Sequence, residues 1–162
     1  MTFDYSVNLD PKDWMILQML EKSGRSSIKA IAEVVGLSSP AVADRIKRLE
    51  EDGVLLGYSA VVNPAKVGLP LLVIIRLDTP AQRYKEVLAY LSSMRGIVEC
   101  HHVSGADSFV IKGYYSSVTH LEDTIRVLSE FGRTASAVVM SSPISEASLA
   151  RVAMTNTGGR VT

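Results

Sequence analysis

The chain has 162 residues, of which 47 % are hydrophobic and 21 % are charged. This is ordinary globular usage, which excludes disordered and collagen-like classes, and the length suits one ordinary domain or two small ones. Lys plus Arg and Asp plus Glu number 17 each, so the formal net charge is zero, which taken whole argues against a nucleic-acid binder. No apolar run approaches a membrane span, no secretory signal pattern is visible, and the single Cys100 cannot form an internal disulfide, so we expect a cytoplasmic protein.

Three helices are predicted in the first third of the chain, because capping residues and glycine stops bracket three stretches of helical apolar spacing. The first has Asp10 as its N-cap, and Asp13 three residues later gives a capping-box-like start. The second is broken by Gly36. The predicted helices lie between Asp10 and Ser23, from Ser27 to about Val35, and between Ser38 and Gly53.

The periodicity changes after Gly53. Residues 54–62 predict two short strands around Gly57, and the Pro and Gly residues of 63–70 predict a linker. Beyond the linker the predicted order is βαββαβ, which is the order of a ferredoxin-like sandwich. The predicted strands are 71–77, 97–103, 109–115 and 135–141, and the predicted helices are about 81–93 and 118–131. The fold class is therefore α+β, with a three-helix domain and a short β-hairpin at 1–62, a ferredoxin-like domain at 71–142, and an extension at 143–162 that is partly disordered and has one short helix near 146–152.

Helices two and three carry the spacing of a helix-turn-helix. Ala32 suits a close helix crossing, Gly36 suits a turn that needs a positive φ, and Val42 suits packing of the third helix. Between Lys22 and Arg48 there are six basic residues and two acidic ones, a local balance of plus four within a neutral chain. Solvated helix faces would explain a charge run alone, but the coincident spacing and capping favour a DNA-binding surface. The candidate DNA-binding residues are Lys29, Ser38, Ser39, Ala41, Asp44, Arg45, Lys47 and Arg48.

The stretch from Leu9 to Gly68 resembles the Lrp/AsnC (feast/famine) family of prokaryotic transcription regulators. The matching positions include Leu9-Asp10, Asp13, Ile16-Leu17, Gly24-Arg25, Gly36-Leu37-Ser38, Arg45, Arg48-Leu49, Gly53, Gly57-Tyr58, Pro64 and Gly68. The resemblance extends over the βαββαβ half and implies a winged helix-turn-helix domain followed by a ferredoxin-like domain. It further implies a nucleoid-associated regulator of double-stranded DNA. It also implies that the ferredoxin-like domain binds an amino-acid effector, and that its sheets pair into homodimers, with higher assemblies such as an octamer.

The segment Ser104–Ser108 is the candidate effector site of the second half. Gly105 relaxes φ for a tight turn whose amides could cradle an anion, and Asp107 could receive an ammonium group. The alternative from the residues alone is an ordinary hairpin with a polar tip. The resemblance implies an effector pocket that also includes Ala106 and Ser108, with Thr134 and Ser136 from a neighbouring subunit. Only one residue separates Gly105 from Asp107, where the family pattern commonly has two.

Neither a metal site nor a catalytic site is predicted. In a strand, Cys100 and His102 would share one face, but no further ligand stands at a metal-binding spacing. No nucleophile motif or phosphate-binding loop is present, and neighbours along a strand such as Cys100 and His101 point to opposite faces. We therefore expect no cofactor and no enzymatic activity. The alternative to a DNA-binding regulator is a small-molecule-binding or protein-interaction module that does not bind DNA.

Overall fold

The computed structural model describes residues 7–144 and 148–157, with side chains described through residue 153. Two compact units are present. The first contains the described residues up to Val61 together with those from Ile144 onward, and the second is Val62–Pro143. The regular elements are α1 (Pro11–Lys22), α2 (Ile28–Val35), α3 (Ser39–Glu51), β1 (Leu71–Asp78), α4 (Tyr84–Ser93), β2 (Ile97–His102), β3 (Phe109–Tyr115), α5 (Val118–Phe131), β4 (Arg133–Val138) and α6 (Leu149–Thr157).

The first unit is built on the three predicted helices, and all three are confirmed. Asp10 and Asp13 form the predicted capping box at the start of α1, and Gly36 ends α2 in the left-handed conformation with φ 71°. The buried face of α3 packs on α1 and α2 through Val42 and Leu49, both fully buried. The apolar spacing read from the sequence thus gives the helical core of this unit.

The C-terminal helix α6 belongs to this same core. Ala150 is almost fully buried within the N-terminal cluster, and α6 packs on α1. The sequence predicted a shorter helix near 146–152 in a separate extension at 143–162; instead the helix runs from Leu149 to Thr157 and packs within the first unit. The rest of that prediction concerns residues 145–147 and 158–162, which lie outside the described residues.

The predicted hairpin within residues 54–62 is wrong, because no strand occurs in that segment. The amides of Val54 and Leu55 both donate to the carbonyl of Leu49. The residues of the first predicted strand therefore close the C-terminal end of α3 and do not form a strand. Gly57 and the residues after it are exposed, and an isolated two-stranded hairpin is marginal in water. Within the predicted linker 63–70, residues Pro64–Val67 form a 3-10 helix.

The second unit has the predicted ferredoxin-like fold. Its four strands form one antiparallel sheet in the order β2-β3-β1-β4, and α4 and α5 cover one face. The core beneath those helices is supplied by alternate residues of the central strands, including Val73, Ile75 and Ile111. On the opposite face, Leu72, Ile74 and their neighbours have no helix over them within the part of the chain that the structure describes.

The element bounds in this unit differ from the predicted ones by more than one residue in two places. The last strand begins at Arg133 and ends at Val138, whereas an apolar run predicted 135–141. Its register with β1 starts at the pair Asp78 and Arg133, so strand pairing rather than hydrophobicity sets the start. The predicted helix at 81–93 is a 3-10 turn at Ala81–Arg83 followed by α4. Among the described residues, no helix is long and apolar enough to cross a membrane.

Candidate DNA-binding face and ligand pocket

The turn between α2 and α3 is fixed by backbone hydrogen bonds. The amides of Gly36 and Leu37 both donate to the carbonyl of Ala32, which closes α2 and redirects the chain. Ser38 then starts α3, because its hydroxyl accepts from the amide of Ala41 at 3.4 Å. The Lys12 ammonium donates to the carbonyl of Val35, which belongs to the last turn of α2 and therefore has no amide partner within the helix. These contacts present the N-terminal half of α3 on the surface.

Seven of the eight predicted DNA-binding residues lie at the N-cap of α3 or along it, Lys29 lies on α2, and the eight differ in exposure. Ala41 and Arg45 are partly buried and the other six are exposed. The hydroxyl of Ser38 is occupied by the helix cap. The exposed positions at the start of α3 are small or polar, among them Ser39 and Asp44, and such residues permit close approach to another surface. This is the arrangement that a major-groove helix requires.

The two arginines of α3 share a carboxylate on α1. Arg45 Nη1 lies 2.7 Å from Asp13 Oδ1 and 2.6 Å from Asp10 Oδ2, and Arg48 Nη2 lies 2.8 Å from Asp13 Oδ2. The Asp13 side chain is 1 % exposed, whereas those of Arg45 and Arg48 are 26 % and 51 % exposed. The sequence predicted that both arginines are available to DNA, and no spacing pattern indicated their shared partner. The capping role of Asp13 hid a second role, since only the packing of α1 on α3 reveals it.

These contacts shift the pKa values of two groups. The pKa of Asp10 is lowered mainly by the hydrogen bond from the backbone amide of Asp13, and further by the guanidinium of Arg45. The pKa of Arg45 is raised, first by its hydrogen bond to Asp10 and then by that to Asp13. Both shifts favour the charged forms, so the network is an ion-paired one at neutral pH.

The positive charge of the helix pair is therefore unevenly available. Lys47 is 3.5 Å from Glu51 on the next turn, and Arg45 and Arg48 are paired to α1. Lys22, Arg25 and Lys29 are exposed and form no ion pair with a residue in the described ranges. The local excess of positive charge read from the sequence is thus carried most freely by the end of α1 and the start of α2.

In the second unit, the predicted effector loop borders a cavity of about 310 Å³. Three of the predicted residues line it, namely Ala106, Asp107 and Thr134, and Thr134 does so from the same chain, whereas it was expected from a neighbouring subunit. The remaining lining residues, which the sequence analysis missed, are Arg76, Arg133 and Ala135. Ser104, Gly105, Ser108 and Ser136, also predicted for this site, are not among the lining residues. Arg76 interrupts the apolar run of β1 and Arg133 immediately precedes Thr134, which are the signals that could have found them.

Two of the predicted residues that do not line the cavity shape the loop instead. Ser108 is buried, and its hydroxyl accepts from the amide of Thr79 at 3.1 Å and donates to the carbonyl of Thr79 at 2.9 Å. Both hydrogen-bonding directions of that hydroxyl are used within the fold. Gly105 is exposed and has φ 137°, a conformation that favours glycine, so the turn argument for this residue is confirmed.

The cavity is lined by two guanidinium groups and the carboxylate of Asp107, and a second carboxylate, that of Asp78, pairs with Arg133. Arg76 Nη1 lies 3.8 Å from Asp107 Oδ2, and Arg133 Nη2 lies 3.5 Å from Asp78 Oδ2. All four side chains are at least partly exposed, and such long surface ion pairs contribute little. A ligand carboxylate and a ligand ammonium could therefore replace these pairs at small cost.

The thiol and imidazole groups of the second unit do not converge. No group of three or more His, Cys, Asp or Glu residues with metal-binding geometry occurs among the residues that the structure describes. Burial raises the pKa of Cys100, which keeps this thiol protonated at neutral pH, and Cys100 packs against the core of the sheet. His102 instead lies in an edge contact with Tyr84, their ring centroids 4.9 Å apart.

Comparison with known families matches both units. Residues 9–55 match the model for winged helix-turn-helix DNA-binding domains, and residues 72–149 match the Lrp/AsnC ligand-binding domain. The solved structure of Bacillus subtilis LrpC aligns with a TM-score of 0.81 at 27 % identity, covering 86 % of this chain and 99 % of that one. A helix-turn-helix joined to such a domain defines a DNA-binding transcription regulator.

Two further relatives specify the family. The HTH-type transcriptional regulator YezC of Bacillus subtilis is 34 % identical over 134 residues, which are 83 % of this chain and 95 % of that protein. The feast or famine regulatory protein Rv3291c of Mycobacterium tuberculosis, solved in complex with L-methionine, aligns with a TM-score of 0.78 at 30 % identity, covering 86 % of this chain and 97 % of that one. The chain belongs to the Lrp/AsnC family of transcription regulators, as its sequence motifs predicted.

Proposed function

We propose that this regulator reads paired DNA half-sites as a homodimer through α3, and that an amino acid bound in the cavity beside Asp107 changes its assembly or operator affinity. The observation that carries the proposal is that cavity, where a carboxylate and two guanidinium groups face a volume of about 310 Å³. Volumes of about 300 Å³ and above hold small-molecule ligands. The regulator, in this proposal, acts on the chromosome in the cytoplasm and has no catalytic role.

The DNA-contacting part of the proposal rests on exposure and charge. Ser39, Ala41 and Asp44 lie at or near the start of α3, where a recognition helix contacts base edges, and Arg48 keeps half of its side chain in solvent. Lys29 and Lys47 supply phosphate contacts, and the turn at Ser38 supplies another at the start of α3. Arg45 is the most enclosed of the predicted cationic contacts, so its contribution is made through Asp10 and Asp13.

Binding should be tested on fragments recovered from the native genome and on random duplex. Arg48→Ala should weaken binding to the recovered fragment more than binding to random DNA, because a base contact carries sequence information. Lys29→Ala should weaken both in parallel and lower the salt dependence by about one ion. Lys85→Ala, an exposed lysine on α4, is the matched control for loss of charge. If an Arg48→Ala, Lys29→Ala double variant binds the recovered fragment with wild-type affinity, the assignment of this face as the DNA-binding surface is wrong.

The ligand class follows from the groups that line the cavity. Asp107 is an acceptor for an ammonium group, whereas Arg76 and Arg133 are donors for a carboxylate. A zwitterion carries both groups a short distance apart, which is the chemistry of an amino acid. Thr134 adds a hydroxyl at the same wall. Its Oγ1 donates to the carbonyl of Gly132 at 3.4 Å, which is a long and weak hydrogen bond that a ligand can replace.

A panel of amino acids measured by calorimetry tests the effector. Binding by the wild type should be lost in Asp107→Asn and in Arg76→Gln, and kept in Asp123→Asn, whose carboxylate pairs with Arg126 on α5 outside the cavity. The same panel should change operator affinity or particle size if the ligand is an effector. If no amino acid binds and neither property changes, the effector part fails while DNA binding stands.

The homodimer part of the proposal is supported by the open face of the sheet. Leu72 and Ile74 on β1 lie beside Tyr114 and Lys112 on β3, and this face has no helix over it in the described part of the chain. Three of these four residues carry large apolar surface, and each is only partly buried. A second copy of the same face would cover them, as sheets pack face to face. A dimer also supplies the two recognition helices that paired half-sites need.

A further inference from the structure

We propose that Asp13 determines the DNA specificity of this regulator from outside the DNA-binding face, by holding the two arginines of α3 in fixed orientations and withholding their charge from phosphates. This inference rests on the proposed DNA-binding face. It makes α1 part of the specificity apparatus, as a positioning element, although Asp13 itself is too buried to contact DNA.

The carboxylate of Asp13 is fixed before it meets either arginine. Its Oδ2 accepts the backbone amide of Asp10 at 3.1 Å, and its own backbone amide donates to Asp10 Oδ1 at 2.9 Å. This reciprocal capping box sets the side chain against the first turn of α1. One oxygen then accepts from Arg45 at 2.7 Å and the other from Arg48 at 2.8 Å, so both oxygens of a rigid acceptor are engaged.

Burial makes this arrangement obligatory for the folded protein. An ionised carboxylate that is removed from water needs charged partners, and among the residues that the structure describes Arg45 and Arg48 are the ones that supply them. The pairing therefore selects one orientation for each guanidinium. An arginine on an open helix face would sample many rotamers and lose that freedom on binding, whereas these two lose much of it on folding.

The two arginines are left with different capacities. The guanidinium of Arg45 contacts two carboxylates and is three-quarters covered. That of Arg48 donates one hydrogen bond, from Nη2, and half of its side chain faces solvent. A guanidinium has five N–H donors, so Arg48 has donors left for a base edge while Asp13 holds its other end. The positive charge of Arg45 offsets the negative charge of the Asp13 carboxylate.

Neutralising Asp13 should therefore have opposite effects on two kinds of DNA. Random duplex is bound through phosphates, and two arginines freed from their shared anion add positive charge to the surface. Operator discrimination depends on a fixed donor geometry, which is lost when the guanidinium groups become mobile. A residue that only stabilised the fold would weaken binding to both DNAs in the same proportion.

Asp13→Asn in the full chain, with operator and random duplex titrated over a range of salt concentrations, tests this inference. Random-duplex affinity should rise by up to about tenfold near 0.1 M salt, and its salt dependence should steepen by about one ion. The ratio of operator to random affinity should fall by about tenfold. Glu33→Gln removes the same charge from an exposed position on α2, and should keep that ratio within about twofold.

Arg45→Gln gives a second reading if Asp13→Asn does not fold, as judged by circular dichroism. It should lower the ratio of operator to random affinity, and it should lower random-duplex affinity by no more than about threefold, because Asp10 and Asp13 are left with one cation fewer. Parallel losses on both DNAs, in either folded variant, would overturn the inference and make the network merely structural. If the wild type binds no duplex at all, the proposed DNA-binding face has failed instead.

Discussion

At the scale of single residues, Gly132 is required by a backbone contact rather than by a turn. It links α5 to β4 in an extended conformation, and a Cβ built on it would lie 2.0 Å from the carbonyl oxygen of Asp78. The pairing of β1 with β4 starts at that point, so the neighbouring backbone cannot retreat without opening the sheet. Gly132 therefore secures the edge of the second unit on which Arg133 and Thr134 line the cavity.

Gly132→Ala should destabilise the second unit by about 1–3 kcal/mol, as overpacking does, because the clash is with backbone and not with a movable side chain. Urea unfolding followed by circular dichroism measures the loss. Gly24→Ala is the control, since a Cβ there meets Tyr58 at an ordinary 3.5 Å. Equal stability of Gly132→Ala and the wild type would show that β4 can shift to admit the methyl group.

The low pKa of Asp10 gives the first unit an acid-sensitive contribution to stability. The folded-state pKa lies below the ordinary value of 3.8, so the stabilisation is fully present above that value and is lost as the pH falls through the folded pKa. The free energy of unfolding should therefore fall as the pH is lowered from neutral to below the ordinary value of 3.8, and Asp10→Asn should show a smaller fall. Chemical denaturation across this range measures both. An identical acid dependence in the two proteins would assign the effect elsewhere.

Residue-scale predictions from sequence succeed where local rules decide and fail where packing does. The capping residues Asp10 and Ser38 and the left-handed Gly36 follow from short-range backbone chemistry, and the structure confirms them. The partner of Arg45 lies 32 residues away on another helix, and no spacing rule brings the two together. Arg76 was likewise missed because it reaches the cavity from β1 rather than from the polar loop.

At the scale of elements, α6 is held to α1 by a carboxylate. Glu21 accepts the backbone amides of Leu149 at 2.9 Å and Ala150 at 3.2 Å, and also the hydroxyl of Ser148. It thus satisfies otherwise unpaired amides in the first turn of α6 and places a negative charge at the positive end of that helix. The buried Ala150 then closes the contact with α1. Ser148 also caps the helix locally, because its hydroxyl accepts from the amide of Arg151 at 3.0 Å, and the carboxylate of Glu21 adds a tertiary cap to this local one.

Glu21→Ala should loosen α6 by about 1 kcal/mol, the usual cost of losing a cap. Hydrogen exchange at the amides of Leu149 and Ala150 should then accelerate about fivefold, while that of α2 stays unchanged. Glu33→Ala, which removes an exposed glutamate from α2, is the matched control. Unchanged exchange at α6 would mean that Ala150 and its neighbours hold the helix without the cap.

The same scale explains why the predicted hairpin was wrong whereas the ferredoxin-like order was right. Alternating apolar residues in β1 and β3 have partners at fixed register, and their burial agrees with the pattern. Residues 54–62 contain β-forming residues, but the start of the segment closes α3 and the rest finds no strand in the described chain to pair with. Strand propensity without a partner does not give a strand.

At the scale of the whole molecule, the neutral net charge and the positive helix pair are compatible because carboxylates of the same unit neutralise part of the positive charge. Residues 1–66 contain eight basic and nine acidic side chains. Two of the basic ones face Asp13, so the DNA-binding unit has little charge to spare for phosphates. Its affinity for random DNA should be modest, and two linked half-sites must supply the affinity for an operator.

Dimer formation through the open sheet face is the prediction that joins these scales. Ile74→Glu places a charge at the centre of that face, between Lys112 on β3 and Ala137 on β4, and burying it against a second copy is costly. Light scattering should show monomers at concentrations where the wild type is dimeric. Operator affinity should fall much more than random-duplex affinity, because the operator has two half-sites that two linked DNA-binding units can bind together. Leu88→Glu on the exposed side of α4 is the control and should leave the dimer intact. A dimer that survives Ile74→Glu but not Leu88→Glu would place the interface on the helical side of the ferredoxin-like unit.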